Sequence, residues 1–272
     1  MLPNLIDGPG FNNLVRAKHG WMLFNRHDVY IGRSIGKYGE FSEGEVELFS
    51  QLCRPGDVVV EVGANIGAHT LALASLVGAQ GRVHAFEAQR VVFQTLCANV
   101  ALNSLMQVEC RQLALGDRMG TLKIPDFVYS EEGNFGGVEI SRFTDGIPVS
   151  LARLDDVLEL PSCRLLKIDV EGMEREVIAG AALTIAKHRP FLYVENDRVE
   201  KSSELIVAIE TLGYRAWWSV PPMYNPANFA SDPENIFPNI VSINMICVPN
   251  ETPIALEGFA LAQQGHHPLQ TP

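Results

Sequence analysis

The sequence predicts a doubly wound α/β domain on a mainly parallel sheet, preceded by a short N-terminal β-hairpin, and three stretches carry that prediction. The first is Asp57-Val58-Val59-Val60-Glu61-Val62-Gly63-Ala64-Asn65-Ile66-Gly67-Ala68-His69-Thr70, a β-branched run that meets two glycines and passes into an apolar-periodic segment. A buried strand turning tightly into a helix has this signature. The second, Arg82-Val83-His84-Ala85-Phe86-Glu87, is a strand ending in an acid. The third, Arg164-Leu165-Leu166-Lys167-Ile168-Asp169-Val170-Glu171-Gly172-Met173-Glu174, is an apolar strand that ends in acids and feeds a helix. Strands and helices alternating at this pitch predict a parallel sheet with right-handed crossovers.

Residues 1–19 hold Pro3, Gly8 and Gly10 without a clear period and read as an arm. Trp21 to Phe24 and Val29 to Gly32 are strand-like runs around Asn25-Arg26-His27-Asp28, which predicts a hairpin. Residues 1–41 form this arm and hairpin, 42–250 the main domain and 251–272 a flexible tail. Ser42-Glu43-Gly44-Glu45 has the spacing of a capping box, and the helix it opens stops at Pro55-Gly56. Helices are expected over Ile66 to Val77 and Gln89 to Leu102, the latter stopped by Asn103. Val108 to Leu115 is a third strand whose tip carries Gly116-Asp117.

Residues 123–150 break the rhythm with glycines, prolines and aromatics, as a lid or substrate loop does, or else an exposed insertion. A helix then runs to about His188, with Val177, Ile178, Ala181 and Ile185 on one face. Phe191-Leu192-Tyr193-Val194-Glu195-Asn196 is a strand and Ser202 to Leu212 a helix. Tyr214 to Trp218 and Ile240 to Val248 are strands, the last read as an antiparallel edge. The loop 219–239 mixes rigid turns with aromatics and amides, which suits a sugar-like acceptor or a packed surface loop. His266 and His267 lie in the tail, a weak metal contact at most.

An apolar content of 47% and a mean hydropathy of +0.07 place the chain among globular proteins. No apolar run reaches the roughly 18 residues of a membrane span, and the N-terminus lacks a basic region followed by an apolar core, so a cytoplasmic protein is expected. The five cysteines form no Cys-x-x-Cys pair, which makes buried free thiols the default. A net charge of −11 argues against nucleic acid as a partner. Oligomeric state leaves no trace in the sequence.

The strand ends carry the chemistry. Gly63 and Gly67 remove Cβ atoms where a ligand must approach the backbone, and N–H groups at the start of the next helix present positive potential. Glu61 would repel a pyrophosphate but suits a cationic ligand. Glu87 lies 24 positions beyond Gly63, where an acid at the second strand tip takes ribose hydroxyls. Two acids at neighbouring strand tips suit a cationic nucleoside such as S-adenosylmethionine. Asp117, at the third tip, is a candidate partner for the adenine amine, the alternative being an ordinary turn aspartate.

With Val60-Glu61-Val62-Gly63-Ala64-Asn65-Ile66-Gly67, Phe86-Glu87, the Leu166 to Glu174 run and Arg189-Pro190 leading to Val194-Glu195, the chain resembles the FkbM-type S-adenosylmethionine-dependent methyltransferases. The likeness spans roughly Gly39 to Glu195, and Lys167-Ile168-Asp169-Val170-Glu171-Gly172 is its most distinctive part. It implies a Rossmann-like class I methyltransferase fold, a seven-stranded sheet with an antiparallel edge strand. It also implies methyl transfer to a hydroxyl of a sugar, glycan, polyketide or other natural product. By resemblance Gly63, Ala64, Asn65, Gly67, Glu87 and Ala88 belong to the cofactor site, with Glu61 where many relatives have Asp.

Methyl transfer is an in-line displacement on a sulfonium carbon, so alignment supplies most of the acceleration. An alcohol acceptor also calls for a base or a metal. Asp169, Glu171, Glu195 and His69 are the candidates, Asp169 first. If strands four and five are neighbours, Asp169, Glu195 and Asn196 could converge on Mg²⁺, an arrangement similar to that of catechol O-methyltransferase. Hydrogen-bonding carboxylates without metal are the expected state. The rival functions are a nicotinamide-dependent oxidoreductase, disfavoured by the missing Gly-x-Gly-x-x-Gly and by Glu61, and a cofactor-binding relative without activity.

Overall fold

A computed structural model describes residues 5–137, 145–254 and 256–270. The chain opens with β1 (Ile6–Asp7), β2 (Asn12–Ala17) and β3 (Gly20–Asn25), an antiparallel sheet in that order, followed by α1 (Ile31–Tyr38). The hairpin therefore lies upstream of its expected place. Asp28 Oδ1 accepts hydrogen bonds from Tyr30 N at 2.9 Å and Gly32 N at 3.1 Å, so the chain turns into a helix where Val29 to Gly32 was expected to be a strand. Residues 12–17, expected to lie in an irregular arm, supply the other strand.

Next come α2 (Glu43–Leu52), β4 (Val58–Val62), α3 (Ala68–Val77), β5 (Arg82–Glu87), α4 (Arg90–Leu102), β6 (Val108–Gln112) and β7 (Ala114–Leu115). The expected capping box does not form. Ser42 sits at a φ of 48°, and its hydroxyl donates to the Glu45 carboxylate at 2.7 Å instead of accepting from a backbone N–H of the helix. β8 (Gly120–Ile124) and β9 (Ile147–Ala152) pair antiparallel, with β7 on the other side of β9. The stretch expected as one long loop is thus framed by strands, and residues 138–144 of it lie outside the described residues. The rest comprises α5 (Leu154–Val157), β10 (Leu165–Ile168), α6 (Glu174–Gly180), α7 (Ala182–His188), β11 (Phe191–Glu195), α8 (Val199–Thr211), β12 (Tyr214–Ser219) and β13 (Asn244–Pro249).

The main sheet has seven strands in the order β12-β13-β11-β10-β4-β5-β6. β13 runs antiparallel to both neighbours and sits inside the sheet, so the edge is β12, not the last strand. All five β4 residues are buried, as a central parallel strand covered on both faces requires. Its period of two sends Val58, Val60 and Val62 into a core with Leu166, Ile168, Val194, Val177 and Ile209. Val59 joins Leu165, Phe191, Leu73 and Phe49 on the other face. Helices on both faces make the sheet doubly wound.

The C-terminal stretch packs where a flexible tail was expected. Trp218 N donates to Ala260 O at 2.8 Å and Ala262 N to Ala216 O at 2.9 Å, so the tail extends the β12 edge. His267 packs edge-on against Trp218 at 5.1 Å and is 2.7 Å from Asn196 O through Nε2. Among the described residues no helix is long and apolar enough to cross a membrane. All five cysteines are free.

Candidate active site

The carboxyl ends of β4, β5, β10 and β11 open onto one cavity of about 400 Å³. From β4 the chain moves outward to β5 and β6, then returns to the other side of β4 with β10 and β11. This reversal is the topological switch point, where open α/β sheets leave a crevice for ligand. Tyr30, Phe41 and Glu45 from the N-terminal elements, and Met223 with Ile240 to Asn244 from the C-terminal third, close the cavity.

Gly63 has a φ of 81°, and a Cβ built there would lie 1.7 Å from Asp169 O. Gly63 and Ala64 both donate to Phe86 O at 2.9 Å, Asn65 N donates to Glu87 Oε2 at 2.9 Å, and Ile66 N to Asn65 Oδ1 at 2.8 Å. Gly67 N donates to Ala64 O at 2.9 Å. The N–H groups of residues 63–67 are therefore engaged by the turn itself and by Phe86 and Glu87 at the end of β5. Gly67 itself lies behind the cavity wall, where a Cβ would meet Leu96 Cδ1 at 2.8 Å.

Glu87 is fixed at the tip of β5 by two backbone donors, Asn65 N on Oε2 and Gln89 N on Oε1 at 2.8 Å. Burial raises its carboxyl to about 7 against these donors. Ala88 and Gln89 continue the wall. Gln89 gives its amide hydrogen to Phe135 O at 2.7 Å, which leaves Oε1 buried, facing no hydrogen-bond partner among the described residues. Asp117, the expected adenine contact, is exposed, paired with Arg118 at 2.9 Å, and absent from the cavity wall.

A row of polar side chains crosses the floor. Register places Lys167 beside Glu61 on one strand and Tyr193 on the other. Lys167 Nζ lies 2.9 Å from Asp169 Oδ2 and 3.9 Å from Glu61 Oε1, while Glu61 Oε2 accepts from Thr70 Oγ1 at 2.6 Å. Burial raises Glu61 to about 7, opposed by the Lys167 charge. Burial also works against the Lys167 ammonium, but Asp169, Glu61 and Glu45 outweigh it and hold Lys167 above the usual lysine range. His69 is buried between Phe41 and Phe49, each 5.7 Å away, with Nε2 unpartnered among the described residues. Burial lowers it to about 3, so it is neutral.

Asp169, Glu171 and Glu195 bring carboxylate oxygens within 4.8 Å of one another. Asp169 is paired with Lys167, and Glu171 with Arg198 at 2.7 Å. Glu195 Oε2 is buried without a partner among the described residues, and burial with the neighbouring acids raises Glu195 well above the usual carboxyl range. Asn196 does not join them. It is buried and donates to Met245 Sδ at 3.2 Å, because successive residues of a strand face opposite sides.

Several lining residues carry no site expectation from the sequence: Glu45, Gln89, Lys167 and Arg198, whereas Asn134, Gly136 and Gly137 come from the stretch read as a lid or substrate loop. A lysine within an apolar strand was itself a signal, since lysine is almost never fully buried unless paired. Glu45 gives none, because only the packing of α2 across the sheet brings it here. The loop 219–239 contributes Met223, while Asn225 Nδ2 and Phe229 N bind the buried Glu40 carboxylate at 2.8 Å each and strap the loop to the N-terminal elements.

Fold and cavity together define a class, the Rossmann-like α/β domains of the class I methyltransferases. Residues 61–216, more than half of the chain, match the family described as Methyltransferase FkbM domain, and the chain belongs to that family. It is 32% identical over 173 residues to 31-O-demethyl-FK506 methyltransferase FkbM of Streptomyces tacrolimicus, covering 49% of this chain and 66% of that protein. It is 32% identical over 154 residues to Methyltransferase sdnD of Sordaria araneosa, covering 45% and 59%. The chain thus spans less than two thirds of these relatives. Among solved structures, Methyltransferase FkbM from Methylobacillus flagellatus KT is 15% identical, with 74% of this chain and 50% of that one covered at a TM-score of 0.44.

Proposed function

We propose that this chain transfers a methyl group from S-adenosylmethionine to a hydroxyl of an uncharged acceptor such as a sugar, glycan or natural product. The observation that carries this reading is the meeting of Gly63 and Asp169 across the switch point, which sets a nucleoside-sized crevice ending at Glu87 beside a carboxylate. Glu87, held by two backbone donors, is oriented to take ribose hydroxyls. Gln89 Oε1 offers a buried acceptor for a nucleoside donor, a role that the sequence reading gave to Asp117. Apolar Leu113, Leu115 and Leu122 wall the end of the cavity toward the base.

When bound, S-adenosylmethionine supplies an electrophilic methyl carbon on a sulfonium that departs as a neutral thioether. The chain's part is to align the acceptor oxygen and to remove its proton. Asp169 is the residue for that proton: Lys167 holds Oδ2, which leaves Oδ1 to accept it. Glu171 is engaged by Arg198. His69 is a neutral wall contact between Phe41 and Phe49, and the burial that brings it down to about 3 disfavours its taking up the acceptor's proton. A divalent metal is not required in this reading, since Lys167 and Arg198 already meet two of the three clustered carboxylates. An excess of acidic groups along the cavity disfavours phosphorylated or carboxylated acceptors.

Calorimetry with S-adenosylmethionine, S-adenosylhomocysteine and NAD tests the donor, and a preference for NAD would overturn the assignment. Transfer of labelled methyl into a panel of neutral polyhydroxylated acceptors, with Asp169→Asn as control, tests the reaction. Loss of turnover on exhaustive chelation, restored by Mg²⁺, would replace the metal-free reading with a metal held by Asp169, Glu171 and Glu195.

A further inference from the structure

We propose that Lys167 limits the preference of the cavity for a sulfonium over a thioether, acting as the specificity-determining cation of its floor. The proposal rests on the methyl-donor reading above. Lys167 is 1% exposed in the middle of β10, yet it lines the cavity. Among the described residues seven carboxylates line that cavity against two cationic side chains. The other cation, Arg198, is bound to Asp197 and Glu171. Lys167 instead stands between Glu61, below the glycine turn, and Asp169, at the switch point. The parallel register Lys167–Glu61 sets the main chain of the lysine beside that of Glu61, and its ammonium is paired with Asp169 at 2.9 Å.

A methyl donor enters with one positive charge on sulfur and leaves without it. Every fixed charge near the sulfur therefore acts on the two forms unequally. A unit charge about 8 Å away at an effective dielectric near 20 changes the affinity of a charged ligand by on the order of tenfold or more. Lys167 opposes the sulfonium and Glu61 favours it, so the two residues must move the ratio of affinities in opposite directions. A purely structural role would weaken both ligands alike and leave the ratio where it was.

The test is calorimetry of the full chain with S-adenosylmethionine and S-adenosylhomocysteine, at about pH 8.5, above the value of about 7 to which burial raises Glu61. Lys167→Gln is expected to shift the ratio about tenfold toward the sulfonium, Glu61→Gln to shift it the other way, and the double variant to return it to within about threefold of wild type. If Lys167→Gln fails to fold because it leaves Glu61 and Asp169 without their cation, Glu61→Gln and the neutral double variant still carry the comparison. Equal weakening of both ligands, or shifts in the same direction in both single variants, overturns the proposal. Wild type binding neither ligand would remove the methyl-donor reading and this proposal with it. Wild type binding both with ratios that do not move removes this proposal alone.

Discussion

Gly63 and Asp169 touch backbone to backbone: a Cβ on Gly63 would lie 1.7 Å from Asp169 O, and Asp169 N donates to Val62 O at 3.0 Å. This contact joins the turn after β4 to the end of β10 and so sets the depth of the crevice between them. Gly63→Ala forces a φ of 81° on an L side chain, at roughly 1–2 kcal/mol, and adds a clash with main chain that cannot step aside. The expected fall in Tm is at least about 5 °C, read by calorimetric melting. An unchanged Tm would mean that the two strand ends are not in contact.

Glu87 and Asp117 were both expected at the nucleoside, and the structure separates them. Glu87→Gln places an amide against backbone donors that the carboxylate now accepts, so S-adenosylhomocysteine affinity should fall at least about tenfold, or roughly 1.4 kcal/mol. Asp117→Ala should leave it unchanged, since Asp117 is exposed and paired with Arg118. Equal losses in the two variants would restore Asp117 to the site.

The neutral His69 makes a pH-dependent contribution whose sign is fixed. Its folded value, about 3, lies below the ordinary 6.5, so the stability attached to burying it neutral is complete above pH 6.5 and is lost as pH falls toward 3. Glu61 and Glu87, raised to about 7, act in the opposite sense, losing stability as pH rises through 7, but wild type and variant share them. His69→Phe keeps an aromatic ring between Phe41 and Phe49. From pH 6.5 to pH 5 wild type should lose roughly 2 kcal/mol relative to the variant in urea denaturation. Parallel pH dependences would show that His69 is not held neutral.

The packed tail gives a fourth expectation. Removing residues 257–272 strips two hydrogen bonds from the β12 edge and uncovers Trp218, which should cost about 2 kcal/mol or more in urea denaturation. A tail without structure would leave stability as it was.

Much of the fold is legible along the chain because its signals are local. The β-branched run of β4 is buried on both faces, and the tips of β5, β10 and β11 at the cavity are marked by the acids Glu87, Asp169 and Glu195. The errors fall where a partner distant in sequence decides. Val29 to Gly32 reads as a strand by its apolar residues, yet Asp28 captures its N–H groups and β3 pairs with residues that carry little strand signal. The place of β13 inside the sheet depends on which strands flank it, and hydropathy carries nothing about neighbours.

By itself, then, the sequence determined the order of strands and helices in the main sheet, the glycine bend and the acids that end three of its strands, because period, chain stiffness and turn chemistry act within a few residues. Only the tertiary structure decided which of those groups meet. It paired Lys167 with Glu61 and Asp169, replaced Asn196 by Glu171 beside Glu195, and turned the N–H groups of the bend inward. The physical reason is that charge, burial and hydrogen bonding depend on distance through space. The Lys167–Glu61 approach at 3.9 Å and the meeting of Glu195 with Asp169 and Glu171 within 4.8 Å join segments brought together only when the sheet forms.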